Sequence, residues 1–367
     1  MKKKLLSIAL AFALAIGVTG QSTVYADEVT EVANAIAVAE EKQLGVDYSV
    51  TWSDEVEECW SKVTLNQKGI FQVNFTKVES KTFGFIDVGV RVYDETGKCI
   101  SVVWDEEEQL SASVFIGLDQ GTYFVRLRPE YPSYSHDRTT NYNFSFAPTE
   151  YCESENDNSR LDATPMKVGV AYTGYLGSGF GCTSDDKDYE DNYKIQLKKG
   201  QVYRFTYDTG KGTTIVKMLG KDSEPDNTWP STDAKKFCLA PGKTFIAPYS
   251  GTYYIRIYNY SNDQYKYTVK VENLSPEKVN LTSVKAGKAS LTVKWKKVNC
   301  DGYQIQYSTK KNFKGAKSVT VSRKKASATI KKLSSKKKYY VRIRPYLNVE
   351  NKKAYLAWSK VKSIKVK

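Results

Sequence analysis

Two acidic stretches carry the residues best suited to chemistry in this chain. Glu153, Glu155, Asn156 and Asp157 lie close together, and Asp186, Asp188 and Asp191 follow about 30 residues later. Carboxylate and amide oxygens at this density are what a hard cation such as calcium requires, with six to eight oxygens converging on one point. The expectation is a calcium site drawn from both stretches. The same composition also suits a solvated acidic loop with caps and Asx-turns. Asp54, Glu55, Glu57 and Glu58 form a weaker echo nearer the N-terminus.

Other chemistries lack their parts. His136 is the only histidine, and a Ser-His-Asp or Cys-His centre would have to use it. It sits in the polar stretch Tyr134-Ser-His-Asp-Arg138, with no nucleophile motif around it. Gly242-Lys-Thr244 resembles the end of a phosphate-binding loop, but Phe237 stands where that loop needs glycine, so it reads as a turn. Paired carboxylates make a glycosidase only across a cleft, and no pattern here places them so. The chain reads as non-enzymatic, with no cofactor other than calcium.

The chain has six cysteines: Cys59, Cys99, Cys152, Cys182, Cys238 and Cys300. An even number in an exported protein permits disulfides. Cys59–Cys99 is the first pair expected and Cys182–Cys238 the second, with buried thiols as the alternative. No Cys-x-x-Cys occurs, so zinc and thioredoxin-type chemistry have no support. Tyr131, Tyr134, Tyr258 and Tyr260 follow apolar runs and are expected in loops, where tyrosine can stack on sugars or anchor a protein contact. Packing over the end of a sandwich is the competing role.

Lys2, Lys3 and Lys4 precede the apolar run Leu5 to Val18, and Val24-Tyr25-Ala26 offers small residues where signal peptidase reads. Residues 1–26 are therefore expected to be a signal peptide. The mature protein would be secreted or held at the cell surface non-covalently, with no transmembrane segment left after cleavage. Charge is polarised. Residues 275–367 hold 26 Lys and Arg against three Asp and Glu, or +23, leaving −9 on the rest. A lysine-rich exported domain suits anionic cell-wall polymers, and nucleic acid is not expected outside the cell. Lysines that merely protect exposed strand edges are the alternative.

These residues must be positioned by strands. Gly121-Thr-Tyr-Phe-Val-Arg-Leu127 recurs as Gly251-Thr-Tyr-Tyr-Ile-Arg-Ile257, and less closely as Tyr339-Tyr-Val-Arg-Ile-Arg344. Each copy is rich in aromatic and β-branched residues and reads as a sandwich strand. Residues 27–43 carry near-helical apolar spacing, for a short lead-in helix or an irregular first strand. Gly169-Val-Ala-Tyr-Thr173 echoes Gly45-Val-Asp-Tyr-Ser49, and Lys194 to Gly200 echoes Lys62 to Gly69. A domain of about 120 residues is duplicated. The fold class is all-β, with three antiparallel β-sandwiches in a row.

Residues 150–273 resemble the bacterial pre-peptidase C-terminal domain, through Glu155-Asn-Asp-Asn-Ser159, Ala163-Thr-Pro165, Gly174, Asp191-Asn-Tyr193, Gly200-Gln201 and Ser250 to Arg256. Residues 27–149 look like a divergent copy. The resemblance implies two jelly-roll-like sandwiches. In the collagen-binding relatives a similar Glu-x-Glu…Asn-Asp segment and a later aspartate loop hold calcium; the proline before Asn-Asp is missing here. Residues 274–367 resemble a fibronectin type III domain, immunoglobulin-like, in the lysine-rich form that ends many exported proteins of clostridia-like bacteria. Leu291-Thr-Val-Lys-Trp295, Gly302 to Tyr307, Leu333 with Tyr339, and Trp358-Ser359 carry the match. The implied role is surface binding or adhesion, with an extracellular polysaccharide or protein as ligand. The alternative is an accessory, substrate-targeting subunit of a secreted peptidase or glycoside hydrolase.

Overall fold

Alternating polar and apolar residues set the strands. In Cys59–Leu65, Val63 and Leu65 are buried while Thr64 faces solvent, the period of two that a half-buried strand demands. The computed structural model describes residues 22–78, 88–104, 113–129, 138–153, 162–176, 190–209, 214–220, 238–259, 265–350 and 352–367. Among them lies one helix, α1 (Ser22–Val38), whose Val32 packs on Tyr93 and Phe124. It begins upstream of the expected cleavage point at Ala26, and its packed residue Val32 follows that point. Among the described residues no helix is long and apolar enough to cross a membrane.

The first sandwich comprises β1 (Glu40–Glu41), β2 (Asp47–Thr51), β3 (Cys59–Leu65), β4 (Gly69–Val78), β5 (Val88–Tyr93), β6 (Cys99–Trp104), β7 (Ser113–Leu118), β8 (Gly121–Pro129) and β9 (Thr139–Pro148). The second comprises β10 (Thr164–Met166), β11 (Ala171–Leu176), β12 (Glu190–Leu197), β13 (Val202–Thr209), β14 (Thr214–Leu219), β15 (Cys238–Leu239), β16 (Thr244–Ile246), β17 (Gly251–Asn259) and β18 (Tyr265–Asn273). Their sheets run β1-β3-β8-β5-β6 with β2-β9-β4-β7, and β10-β12-β17-β14-β15 with β11-β18-β13-β16. Strand for strand the two orders are the same, so the duplication seen in the residues is also a duplication of topology. The edge pairs β1–β3 and β10–β12 are parallel, a departure from the purely antiparallel expectation.

The third sandwich comprises β19 (Leu281–Gly287), β20 (Ser290–Trp295), β21 (Gly302–Ser308), β22 (Lys317–Ser322), β23 (Ser327–Lys331), β24 (Lys338–Val349), β25 (Lys352–Tyr355) and β26 (Lys362–Lys365). Its sheets are β19-β20-β23 and β22-β21-β24-β25, with β26 also pairing β24. The three recurring motifs fall on β8, β17 and β24, each interior to its sheet, and their apolar residues lie in the three separate cores.

Tyrosine hydroxyls explain part of the tyrosine content. Tyr48, Tyr172, Tyr203, Tyr303 and Tyr339 each accept the backbone N–H five residues upstream, at 2.8 to 3.2 Å. Tyr123 and Tyr253 each donate to the carbonyl four residues upstream, both at 3.0 Å. Apart from the half-buried Tyr48, each ring sits in the protein interior while its hydroxyl closes the turn leading into its strand. Gly45 and Gly169 stand at matching turns with φ of 76° and 88°. Both donate their N–H across to the neighbouring strand, to Phe144 and Val271, in a conformation costly for other residues.

The sandwiches meet through packed junctions. Between the first two, Phe115 stacks on Tyr175 at 4.8 Å, beside Ile70 and Cys152. Between the second and third, the Val202 N–H donates to Ser275 Oγ at 2.7 Å, above an apolar cluster of Val202, Leu274, Val349 and Ala354.

Candidate functional site

The connection between the first two sandwiches delivers Glu153 into the second. Cys152 bridges Thr173 in parallel, and the Glu153 N–H donates to the Thr173 carbonyl at 3.2 Å. The Glu153 carboxylate turns inward, 1% exposed, and both its oxygens accept the Tyr175 N–H at 2.8 Å. Tyr267, on β18, donates to Glu153 Oε2 at 3.0 Å and lies within hydrogen-bond reach of Asp191 Oδ2. Asp191 belongs to β12 of the opposite sheet and is 2% exposed. The Tyr193 and Tyr267 hydroxyls are 2.8 Å apart. One phenol thus ties two carboxylates from two sheets.

Gly174 makes room for this. It pairs with Tyr267 in the sheet, and a Cβ on it would lie 1.9 Å from Glu153 Oε2 and 2.1 Å from the Tyr267 ring. Gly117, on β7 of the first sandwich, crowds the other side of Glu153, with its Cβ position 2.7 Å from Glu153 Cγ. Glycine therefore stands on both sides of the carboxylate. Burial and then the Glu153 charge push the Tyr175 phenol up to about 12.

Of the expected cation ligands, the structure brings Glu153 and Asp191 to one hydroxyl. Glu155, Asn156, Asp157, Asp186 and Asp188 lie outside the described residues. Those positions belong to segments 154–161 and 177–189, which start next to Glu153 and end next to Glu190–Asp191. Among the described residues no group of three or more His, Cys, Asp or Glu side chains could hold a metal.

Other expectations need correction. No disulfide joins Cys59 to Cys99: they sit on β3 and β6, with β8 and β5 between. Three strand spacings of about 4.8 Å far exceed the reach of a disulfide. Cys182 lies outside the described residues, as does the side chain of Cys238, which opens β15. Tyr258 is not in a loop. It continues β17, pairing with Glu190 and Ile215, half-buried with the Arg256 guanidinium 5.3 Å from its ring centroid. Two neighbouring strands extend β17 past its sequence motif. Tyr131, Tyr134, Tyr260 and His136 lie outside the described residues.

A second constellation lies on the third sandwich. Val341 and Ile343 face its core, so Arg342 and Arg344 share the outer face of β24. The Arg342 guanidinium lies 4.1 Å from the Phe313 ring centroid and 4.3 Å from that of Trp358. Arg344 lies 4.3 Å from Trp358 and 4.2 Å from Tyr355. The order Phe313–Arg342–Trp358–Arg344–Tyr355 is a ladder of alternating rings and cations. Gln306 Oε1 accepts Arg342 Nε, and Gln304 Oε1 accepts Arg344 Nε, both at 2.8 Å. Phe313 holds φ of 58°, a left-handed conformation costing about 1 kcal/mol for a side chain of this size. Ser359 pins Trp358: its N–H donates to the Ile343 carbonyl at 2.7 Å and its Oγ accepts the Ile343 N–H at 3.1 Å. Burial lowers the pKa of both arginines from the usual guanidinium value. Two outward arginines on alternate strand positions, followed by Trp358-Ser359, were a readable signal for this array.

An open cleft of about 730 Å³ separates the second and third sandwiches. Arg204, Lys243, Asp301 and Glu350 line it, so it favours neither sign of charge.

Residues 274–362 match the family model of the fibronectin type III domain, and this part of the chain is such a domain. Similar solved structures include the fn3 domain of human contactin 1, at 21% identity over 25% of this chain and 76% of that one, with a TM-score of 0.22. Another is a myokine structure, at 19% identity over 25% of this chain and 98% of that one, with a TM-score of 0.21. No curated protein matches the chain.

Proposed function

We propose that this is an exported, non-catalytic surface-binding or adhesion protein. In this reading the first two sandwiches meet an extracellular polysaccharide or protein, and the basic third domain associates with anionic wall polymer. The observation that carries the reading is a fibronectin type III domain of net charge +23 over residues 275–367, joined by packed contacts to the second of two sandwiches. Such a domain fits a binding module, and its charge draws polyanions over long range. The test is capture of the chain from residue 27 onward on an array of extracellular polysaccharides and matrix proteins. Specific, saturable capture supports the reading. Binding only to a secreted hydrolase would replace it with the accessory-subunit role.

Calcium belongs to the same proposal. Two carboxylates brought to one phenol, each next to an acidic segment, support a cation there, since buried carboxylates are costly without compensating charge. Glu153 and Asp191 would hold it with oxygens from segments 154–161 and 177–189. Calcium bound there would supply charge neutralisation and fix the junction between the two sandwiches.

A further inference from the structure

We infer that the ladder face of the third domain is a binding surface for an extended polyol-phosphate polymer outside the cell. This rests on the proposed association of the basic domain with anionic wall polymer, and it assigns that association to one face and one chemistry.

The face presents donors in a line. Lys338, Arg342 and Arg344 alternate outward along β24, and each cation rests against a ring, Lys338 on Tyr340 and the arginines in the ladder. Lys353 continues the row, 4.7 Å from the Tyr346 ring centroid. Neither Arg342 nor Arg344 has a carboxylate partner among the described residues, and Asp and Glu number only three in residues 275–367. The rings and glutamines fix the guanidinium planes, which removes much of the entropy that a free arginine loses on binding.

The glutamines decide the chemistry. Each spends its oxygen on an arginine Nε, so the Gln304 and Gln306 amide NH₂ groups are left as donors beside the guanidiniums. On the neighbouring strand, Ser318 and Thr320 pair with Gln306 and Gln304 and add hydroxyls. Two guanidiniums already pack on the Trp358 ring, each 4.3 Å from its centroid, which leaves little of that ring for a sugar to stack on. Phosphodiester oxygens accept only; Gln306 Oε1 takes both Nε and one Nη of Arg342, so it is the remaining Nη–H groups of the two arginines that such oxygens would meet. Arg342 and Arg344 stand two strand residues apart, about 6.6 Å at the backbone, so two fixed cations follow one another along the strand.

The test uses the chain from residue 27 onward and delipidated poly(glycerol phosphate) as probe. Replacing both arginines by alanine would dismantle the ladder, so the informative variant is Gln304→Glu with Gln306→Glu. It keeps the oxygen that each arginine uses and replaces the NH₂ donor by an acceptor. Lys324→Gln with Lys325→Gln, on the exposed turn between β22 and β23, removes the same net charge elsewhere. The expected result is a loss of about tenfold or more for the glutamate pair and about twofold for the lysine pair, with thermal unfolding of both close to the parent. Equal losses would overturn the face assignment and leave the basic-domain reading standing. No binding by the parent chain at low salt would overturn both. Tighter binding of a single-stranded oligonucleotide than of the polymer would overturn the choice of partner.

Discussion

Where the second sandwich holds a carboxylate, the first holds a thiol. Leu65 pairs with Gly121 and Leu197 with Gly251, which sets Asp191 in the place of Cys59 and Tyr193 in that of Ser61. On the facing sheet, Gly174 takes the place of Val50 and Tyr267 that of Thr140. The first copy fills this corner with neutral groups: Cys59 Sγ lies 3.4 Å from the Tyr142 hydroxyl, and the Trp52 indole donates to Thr140 at 2.9 Å. The framework around the corner is shared. Glu58 pairs with Arg126 in one copy and Glu190 with Arg256 in the other. The turn-closing tyrosines match too, Tyr48 with Tyr172 and Tyr123 with Tyr253. The sandwich therefore folds without carboxylates at this corner. The scaffold does not require the carboxylates of the second copy, and they coincide with the entry of the connecting segment at Glu153.

The contrast can be broken most severely at Gly174. Gly174→Ala pushes a methyl into Glu153 and Tyr267, and we expect a loss of about 3 kcal/mol in urea unfolding. Val50→Ala, at the matching place, should cost about 1 kcal/mol. Equal costs would show that the two corners are packed alike. Next comes the cation. With calcium at about 100 times its dissociation constant, the second sandwich should gain about 2.7 kcal/mol, read as a rise in melting temperature reversed by chelator. Glu153→Gln should abolish that rise and Cys59→Ser should leave it intact; a chelator-insensitive parent removes calcium from the account. Tyr267→Phe removes the single O–H that lies within reach of both buried carboxylates and should cost about 2 kcal/mol. Tyr142→Phe, which faces a weakly bonding thiol, should cost about 0.5 kcal/mol.

The smallest effect is alkaline. Tyr175 has its folded pKa raised to about 12, by burial first and Glu153 second, from a usual value of 10.0. A phenol raised in this way contributes stability that is whole below the unfolded pKa and is lost as pH rises through the folded one. The window is pH 10 to 12, and Tyr175→Phe should flatten the fall in stability there. Tyr253, also raised to about 12, keeps part of the slope in the variant. An unchanged slope in the Tyr175 variant would mean that this phenol is not raised in the folded protein.

Periodicity and internal repetition carried the architecture because they are local. The motif on β8, β17 and β24 could be placed on core strands from its residue types alone, and the duplication followed from matched turns. Glu153 and Asp191 could be suspected as partners, since acidic residues cluster on both sides of them. Tyr267 could not be joined to them, because it lies 114 residues from Glu153 and the contact depends on two sheets closing over Gly174. The Cys59–Cys99 expectation failed for the same reason: counting cysteines ignores that two strands intervene. Tyr258 was misplaced because strand length is set by neighbours, here β12 and β14, and not by the motif itself. The ladder combines residues from Phe313 to Trp358, yet the outward Arg-x-Arg pair that organises it was visible in the strand alternation.

The most direct test of the surface-binding account is sedimentation of the chain from residue 27 onward with purified, protein-free bacterial cell wall across a salt series. Salt screens charge attraction to exposed lysine and arginine. The account predicts that the chain pellets with the wall at low salt and is released into the supernatant at high salt. Failure to pellet at low salt, or retention that high salt leaves unchanged, would contradict it.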